Sequence, residues 1–195
     1  MNEKQKVYIF RHGETEWSKE GKHTGTTDLP LTSNGEKQIA DLAARIPRIN
    51  FAKVFCSPLQ RAKKTCEILG YSSQMQIDDD LKEWDYGQYE GLKTEEIRKI
   101  VPDWSVFTRE CPGGESFEQI KARADRMVQK IREVQGDVAI FSSGHFSRVL
   151  TVRWLGLPVI TGRHFIFDTG KISILGYERE NPAIVLWNGN YIGNI

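Results

Sequence analysis

The chain has 195 residues, enough for one sizeable core and short for two. Hydrophobic residues make up 39% and charged residues 27%, the balance of an ordinary globular protein. With 27 Lys plus Arg against 26 Asp plus Glu, the sequence gives no electrostatic case for nucleic acid or an anionic membrane as partner, so its basic residues matter locally or not at all.

The opening stretch, MNEKQKVYIF, holds an apolar run of only four residues. That is too short for a signal peptide or a membrane span, and the expectation is a cytoplasmic protein. Residues 6–10 (KVYIF) read as a strand that runs directly into Arg11 and His12, then Gly13 and a polar loop with Glu14, Thr15, Ser18 and Thr24. A helix is expected over 35–46, with Ile39, Leu42, Ala43 and Ile46 on one face, Ser33 and Glu36 spaced as a capping box, and Pro47 as its stop. Strand 53–56 leads into a helix over 58–69, with Ser57 as N-cap, Pro58 in the first turn and Gly70 past the end. Segment 78–114, rich in Trp, Tyr, Gly and Pro, reads as an irregular, functional excursion.

Ser116 and Gln119 open a helix over 117–134 that repeats Ile120, Ala124, Met127, Ile131 and Val134 on one face. Strand 137–142 delivers Ser142, Ser143, Gly144 and His145 to a last helix over 146–155, which Gly156 and Pro158 stop. Strands 171–177 and 183–187 close the chain. Cys56, Cys66 and Cys111 are odd in number and lack a CxxC pair, so buried free thiols are expected rather than a disulfide framework or a structural metal.

Alternating strands and helices predict an α/β fold, a single three-layer α/β/α domain over 1–195 with a mostly parallel sheet. In such a sheet the ligand site lies off the carboxyl ends of the strands. Three strand ends carry chemistry: Arg11 and His12; Ser57 with Arg61 one turn on; and Ser142 to His145.

Arginine offers a planar fork matched to phosphate oxygens, and two of them with helix N-termini would cradle a dianion. Histidine can serve as base, ligand or nucleophile. Adjacent guanidinium groups disfavour a metal ion and would push an imidazole pKa down, leaving a ring nitrogen free to attack phosphorus. Taken singly, each residue has a plainer reading. A histidine after a strand is commonly structural, Arg61 beside Lys63 and Lys64 suits a solvated helix face, and His23 and His164 read as surface or locally hydrogen-bonded. Their joint placement at successive strand ends is what favours a site.

The segment RHGETEWSKEGKHTGTTDLPLTSNGEKQ, followed in order by SPLQRAKKT, EWDYGQYEGLKT, PGGESFEQ and SSGHFSRVL, resembles the histidine phosphatase superfamily, the phosphoglycerate mutase-like family. Within it the chain is most similar to short broad-specificity acid phosphatases and to sedoheptulose-bisphosphatase-like enzymes. The resemblance implies that His12 is phosphorylated during turnover and that Arg11, Arg61 and His145 hold the phosphoryl oxygens. It implies substrate contacts at Ser18, Thr24, Gly25 and Phe146, and a proton for the leaving oxygen from Glu83. On chemistry alone Asp78, Asp79, Asp80 and Asp85 compete with Glu83; Leu81, Trp84 and Tyr86 around Glu83 are expected to desolvate it.

The expected reaction is hydrolysis of a small phosphorylated metabolite with no cofactor and no metal. Two rivals stand beside it: a phosphoglycerate mutase, lowered though not removed because the family's arginine-rich insertion is missing after YGQYEG while Arg98 and Arg109 remain, and a non-catalytic phospho-ligand module, against which both His12 and Glu83 argue. Lys22, His23, Tyr89, Trp104, Phe107 and Arg109 are expected around the pocket. Oligomeric state is not legible.

Overall fold

The computed structural model describes residues 5–190. Among the described residues six strands form one sheet: β1 (Val7–Arg11), β2 (Lys53–Cys56), β3 (Met75–Ile77), β4 (Val138–Ser142), β5 (Ile172–Glu178) and β6 (Asn181–Gly189). Their spatial order is β3-β2-β4-β1-β5-β6. The β2–β3, β2–β4 and β1–β4 pairs are parallel, whereas β5 pairs antiparallel with both β1 and β6. The sheet is therefore mixed, with its parallel part at β3-β2-β4-β1.

Alternation along β1 shows how the layers arise. Val7 and Ile9 face one side and pack with Ile120, Met127 and Ile131 of α5 (Phe117–Arg132) and Leu150 and Trp154 of α6 (Gly144–Trp154). Tyr8 and Phe10 face the other, with Ile39 and Leu42 of α2 (Ser33–Ala43) and Ala62 and Cys66 of α3 (Gln60–Ile68). A period of two in the strand thus sorts side chains into two cores, the α/β/α arrangement expected of a chain that alternates strands with amphipathic helices.

The local signals hold with shifts at helix starts. The Ser116–Gln119 capping box is formed, Gln119 N–H donating to Ser116 Oγ at 3.2 Å and Ser116 N–H to Gln119 Oε1 at 2.8 Å. Helix α2 is capped by Thr32 rather than Ser33, since Thr32 Oγ1 accepts from Gly35 N–H. Helix α3 begins two residues later than Pro58, because Asp28 reaches across from a loop to accept Gln60 N–H at 2.7 Å and supplies the cap. Two further helices stand in segments read as loop: α1 (Glu16–Glu20) and α4 (Thr94–Ile100). Strand β3 was also not anticipated.

Cys56, Cys66 and Cys111 are free and buried. No helix among the described residues is long and apolar enough to cross a membrane.

Candidate active site

The sheet order β2-β4-β1 makes the three chemistry-bearing strand ends neighbours. His12 N–H donates to Ser142 O at 3.2 Å, and Ser57 N–H to Phe141 O at 2.9 Å, so the loops leave the sheet in register. Off this edge opens a cavity of about 180 Å³ whose wall includes Arg11, His12, Glu83, Tyr86 and His145. Ser18, Thr24, Lys22 and His23 complete its rim. A wider, shallower depression of about 660 Å³ lies beside Lys93 and Arg98, but no histidine opens into it.

His12 is 4% exposed. Its Nδ1 lies 2.8 Å from Gly13 O. A carbonyl can only accept, so Nδ1 carries the proton and Nε2 keeps its lone pair. Burial first, then the charges of Arg61 and Arg11, hold the imidazole well below its ordinary pKa, with the Gly13 bond opposing. The neutral, nucleophilic form is thereby the resting form.

Arg61 is buried and Arg11 half-buried, and neither has a carboxylate at ion-pair distance among the described residues. Arg11 is anchored by donation from Nη1 to Phe167 O. Arg61 donates to Thr27 O at 2.8 Å, Gly25 O at 2.9 Å and Thr24 O at 3.2 Å. In both side chains Nε is buried without a partner among the described residues. Burying charged donors unsatisfied is costly, and an oxyanion at this point would relieve it. Gly144 belongs to the same design: a Cβ there would lie 2.9 Å from Arg11 Cζ, so only glycine lets the guanidinium pass.

Glu83 is 6% exposed, the desolvation expected from its neighbours. Its Oε1 accepts from Trp84 N–H at 2.8 Å and Phe146 N–H at 2.7 Å, and its Oε2 from His145 N–H at 3.0 Å. The competing carboxylates are committed elsewhere. Asp78 and Asp80 pair with Lys130, and Asp80 also with Arg126; Asp79 pairs with Lys82, and Asp85 accepts from Gly87 N–H. Of the five, Glu83 alone lines the cavity.

Several expectations need correction. At the α6 N-terminus the N–H groups of His145 and Phe146 are taken by Glu83, as that of Gln60 in α3 is taken by Asp28, so these three are not open to a phosphate. Phe146 is fully buried in the core beneath the Arg123 guanidinium, so its ring does not reach the cavity and only its backbone serves the site. Gly25 does not line the cavity; it bridges Glu90, which accepts its N–H, and Arg61. His23, read as surface or locally hydrogen-bonded, is half-buried: it packs at a tilt on Tyr86 and edge-on to Trp104, and its Nε2 lies 3.1 Å from Thr94 Oγ1. Ser18 lines the rim while sharing a capping box with Thr15. Trp104, Phe107 and Tyr89 are buried behind the wall, and Arg109 is exposed away from it.

Two residues that sequence reasoning missed hold the acid segment and the second histidine. Arg123 donates from Nη1 to Asp80 O at 2.6 Å and Lys82 O at 3.0 Å, clamped by Glu115 at 2.6 Å. Its signal was present: position 123 falls between Ile120 and Met127 on the apolar face of α5, an odd place for a charge. Tyr86 meets His145 Nδ1 at 2.6 Å, and nothing in the sequence marks that pairing.

A mixed sheet flanked by helices, with a buried histidine beside one buried and one half-buried arginine, is the frame of a phosphoryl-transfer enzyme. The chain belongs to the histidine phosphatase superfamily, branch 1, whose model matches residues 7–190. It is 42% identical over 178 residues to an acid phosphatase of Mycobacterium tuberculosis, covering 89% of this chain and 87% of that one. It is 33% identical to sedoheptulose 1,7-bisphosphatase of Saccharomyces cerevisiae, covering 91% and 90%. Among solved structures, a Mycobacterium tuberculosis open-reading-frame product superposes with a TM-score of 0.87 at 36% identity, covering 94% and 97%. The fold is thus phosphoglycerate mutase-like, and the protein is an enzyme of the histidine phosphatase family.

Proposed function

We propose that the protein hydrolyses small phosphate monoesters, sugar or other metabolite phosphates, through a phosphohistidine on His12. The observation that carries this reading is the setting of His12: Nδ1 tied to Gly13 O, the charges of Arg61 and Arg11 acting on its ring, and the Nε of each arginine buried without a partner among the described residues. Nε2 attacks phosphorus in line as the ester P–O bond breaks, while Arg11, Arg61 and His145 take up the charge of the phosphoryl oxygens. Glu83 protonates the departing alkoxide. In the second step Glu83, now ionised, takes a proton from the water that attacks the phosphohistidine, and inorganic phosphate leaves.

Hydrolysis is favoured over mutase chemistry by the positions of Arg98 and Arg109. Arg98 donates to Trp104 O and faces the outer depression, and Arg109 is exposed, so neither offers the cavity a second anion site. The two relatives, an acid phosphatase and a sedoheptulose 1,7-bisphosphatase by name, point the same way. The cavity of about 180 Å³ suits a small ester.

The test is a panel of metabolite phosphates with inorganic phosphate as readout, run on the wild type and on His12→Ala. An acid-labile, alkali-stable phosphoenzyme is expected in the wild type only. A folded His12→Ala protein that still turns over substantially would refute the phosphohistidine route.

A further inference from the structure

His12 and His145, two of the three histidines that line the cavity, have the same ring and different partners behind it. His12 Nδ1 faces the carbonyl of Gly13, an obligate acceptor, at 2.8 Å. His145 Nδ1 faces the phenol of Tyr86, which can donate, at 2.6 Å. We propose that Tyr86 is a positioning residue: its O–H donates to His145 Nδ1, fixes that ring as the Nε2–H tautomer, and so makes His145 a hydrogen-bond donor to the phosphoryl group rather than a second nucleophile.

Three observations support the direction of this bond. Tyr86 is 2% exposed, and its hydroxyl has no other hydrogen bond among the described residues. Were it to accept from His145 instead, its own proton would lose its only protein acceptor among the described residues. Burial, and next the charge of Glu83, push the phenol pKa well above its ordinary value, so the proton stays on oxygen. Finally, His145 sits near the Arg148 and Arg11 cations and the His23 ring; burial, then Arg148, His23 and Arg11, lower its pKa well below the ordinary value. A neutral imidazole can donate only from one nitrogen, and with Nδ1 accepting from Tyr86 that nitrogen is Nε2.

The consequence is a division of labour set by the second partner of each ring. A lone pair on His12 Nε2 attacks phosphorus; a proton on His145 Nε2 is offered to a phosphoryl oxygen. The wrong tautomer of His145 would point a lone pair at a dianion, which is repulsive. Phosphorylation of His12 rather than His145 then follows from Gly13 and Tyr86, neither of which takes part in bond making.

This inference rests on the phosphohistidine reading, yet it can be tested without turnover. Long-range ¹H–¹⁵N correlation on ¹⁵N-labelled wild-type protein at pH 7 reports which ring nitrogen of each histidine carries the proton, with His145 assigned by the loss of its signals in His145→Gln. Expected are a protonated Nε2 and bare Nδ1 in His145, and the reverse in His12. Tyr86→Phe keeps the ring stacking and removes only the hydroxyl. It is expected to admit the Nδ1–H tautomer of His145 and to weaken inhibition by inorganic phosphate on the order of tenfold, with kcat/KM lowered by the same factor for aryl and alkyl phosphates, because the defect lies at the phosphoryl end. A wild-type His145 protonated at Nδ1 overturns the proposal even if the variant does not fold. So does a folded Tyr86→Phe with unchanged tautomer and unchanged phosphate inhibition. Failure of the broader reading looks different: no phosphoenzyme, whatever the tautomers.

Discussion

Glu90 and Arg61 hold one short loop from opposite sides. The Glu90 carboxylate accepts the N–H groups of Gly25, at 2.9 and 3.0 Å, and of Thr27, at 3.0 Å, while the Arg61 guanidinium donates to the carbonyls of Thr24, Gly25 and Thr27. The peptide units between them are polarised in one direction. Arg61 is aimed by a loop that is itself aimed by Glu90.

Glu90→Ala is therefore expected to lower kcat/KM by about tenfold through Arg61, without touching substrate, whereas Arg61→Ala costs on the order of a hundredfold, or roughly 3 kcal/mol. Glu90→Gln should recover most of the loss, since an amide oxygen in the place of Oε1 still accepts from Gly25 and Thr27. Steady-state kinetics on the three variants, each checked for folding by circular dichroism, decide the matter. An Ala variant with wild-type kinetics would separate Glu90 from Arg61.

Acid should destabilise the fold through its buried histidines. Burial pushes His23 down to about 4 from 6.5, and holds His12 and His145 well below that ordinary value. As pH falls through 6.5 the unfolded chain takes up protons that the folded chain refuses, so stability is full above that pH and drains away toward 4. Between pH 7 and pH 5 the His23 share amounts to about 2 kcal/mol. Urea unfolding of wild type and His23→Phe at both pH values measures it. The variant is expected to lose less stability than the wild type, and an identical loss in both would show that His23 is not buried neutral.

Much of this was legible in the sequence because it is local. Strand 53–56, the Ser116–Gln119 cap and Gly70 past its helix each depend on neighbours within a turn, and they stand where expected. So did the three strand ends, since parallel topology follows from alternation. What escaped depends on distant partners: Asp28 displacing Ser57 as the α3 cap, Glu83 occupying the α6 N-terminus, Tyr86 behind His145. Periodicity also fails for short helices, and α4 buries one residue, Ile97, too little for a stripe.

Activity is expected to survive chelation. Arg11 and Arg61 supply the positive charge that divalent ions provide in other phosphoryl-transfer sites, and among the described residues no cluster of His, Cys, Asp or Glu is arranged to hold a metal ion. Prolonged EDTA treatment followed by assay in metal-free buffer should leave the rate within about twofold. Loss of activity restored by a divalent ion would contradict the scheme.

Glu83→Gln tests proton donation most directly, and the structure says how to read it. The amide oxygen can replace Oε1 and keep the bonds from Trp84 and Phe146, but its NH₂ then faces His145 N–H, donor against donor, where Oε2 had accepted. A modest general loss is thus expected from a shifted His145, equal for all substrates. Superimposed on it is the chemical loss: an alkoxide leaves poorly without a proton, whereas p-nitrophenolate barely needs one. Phosphorylation of His12 should therefore slow by on the order of a hundredfold more with sugar phosphates than with p-nitrophenyl phosphate. Water activation also relies on Glu83, so stopped-flow absorbance with the aryl ester should show a burst of about one equivalent per active site before a slow steady state. If both substrates slow equally and no burst appears, Glu83 serves to place the α6 N-terminus rather than to move a proton. The proton donor would then have to be sought among the other groups of the wall or in solvent, because Asp78, Asp79, Asp80 and Asp85 all lie outside it.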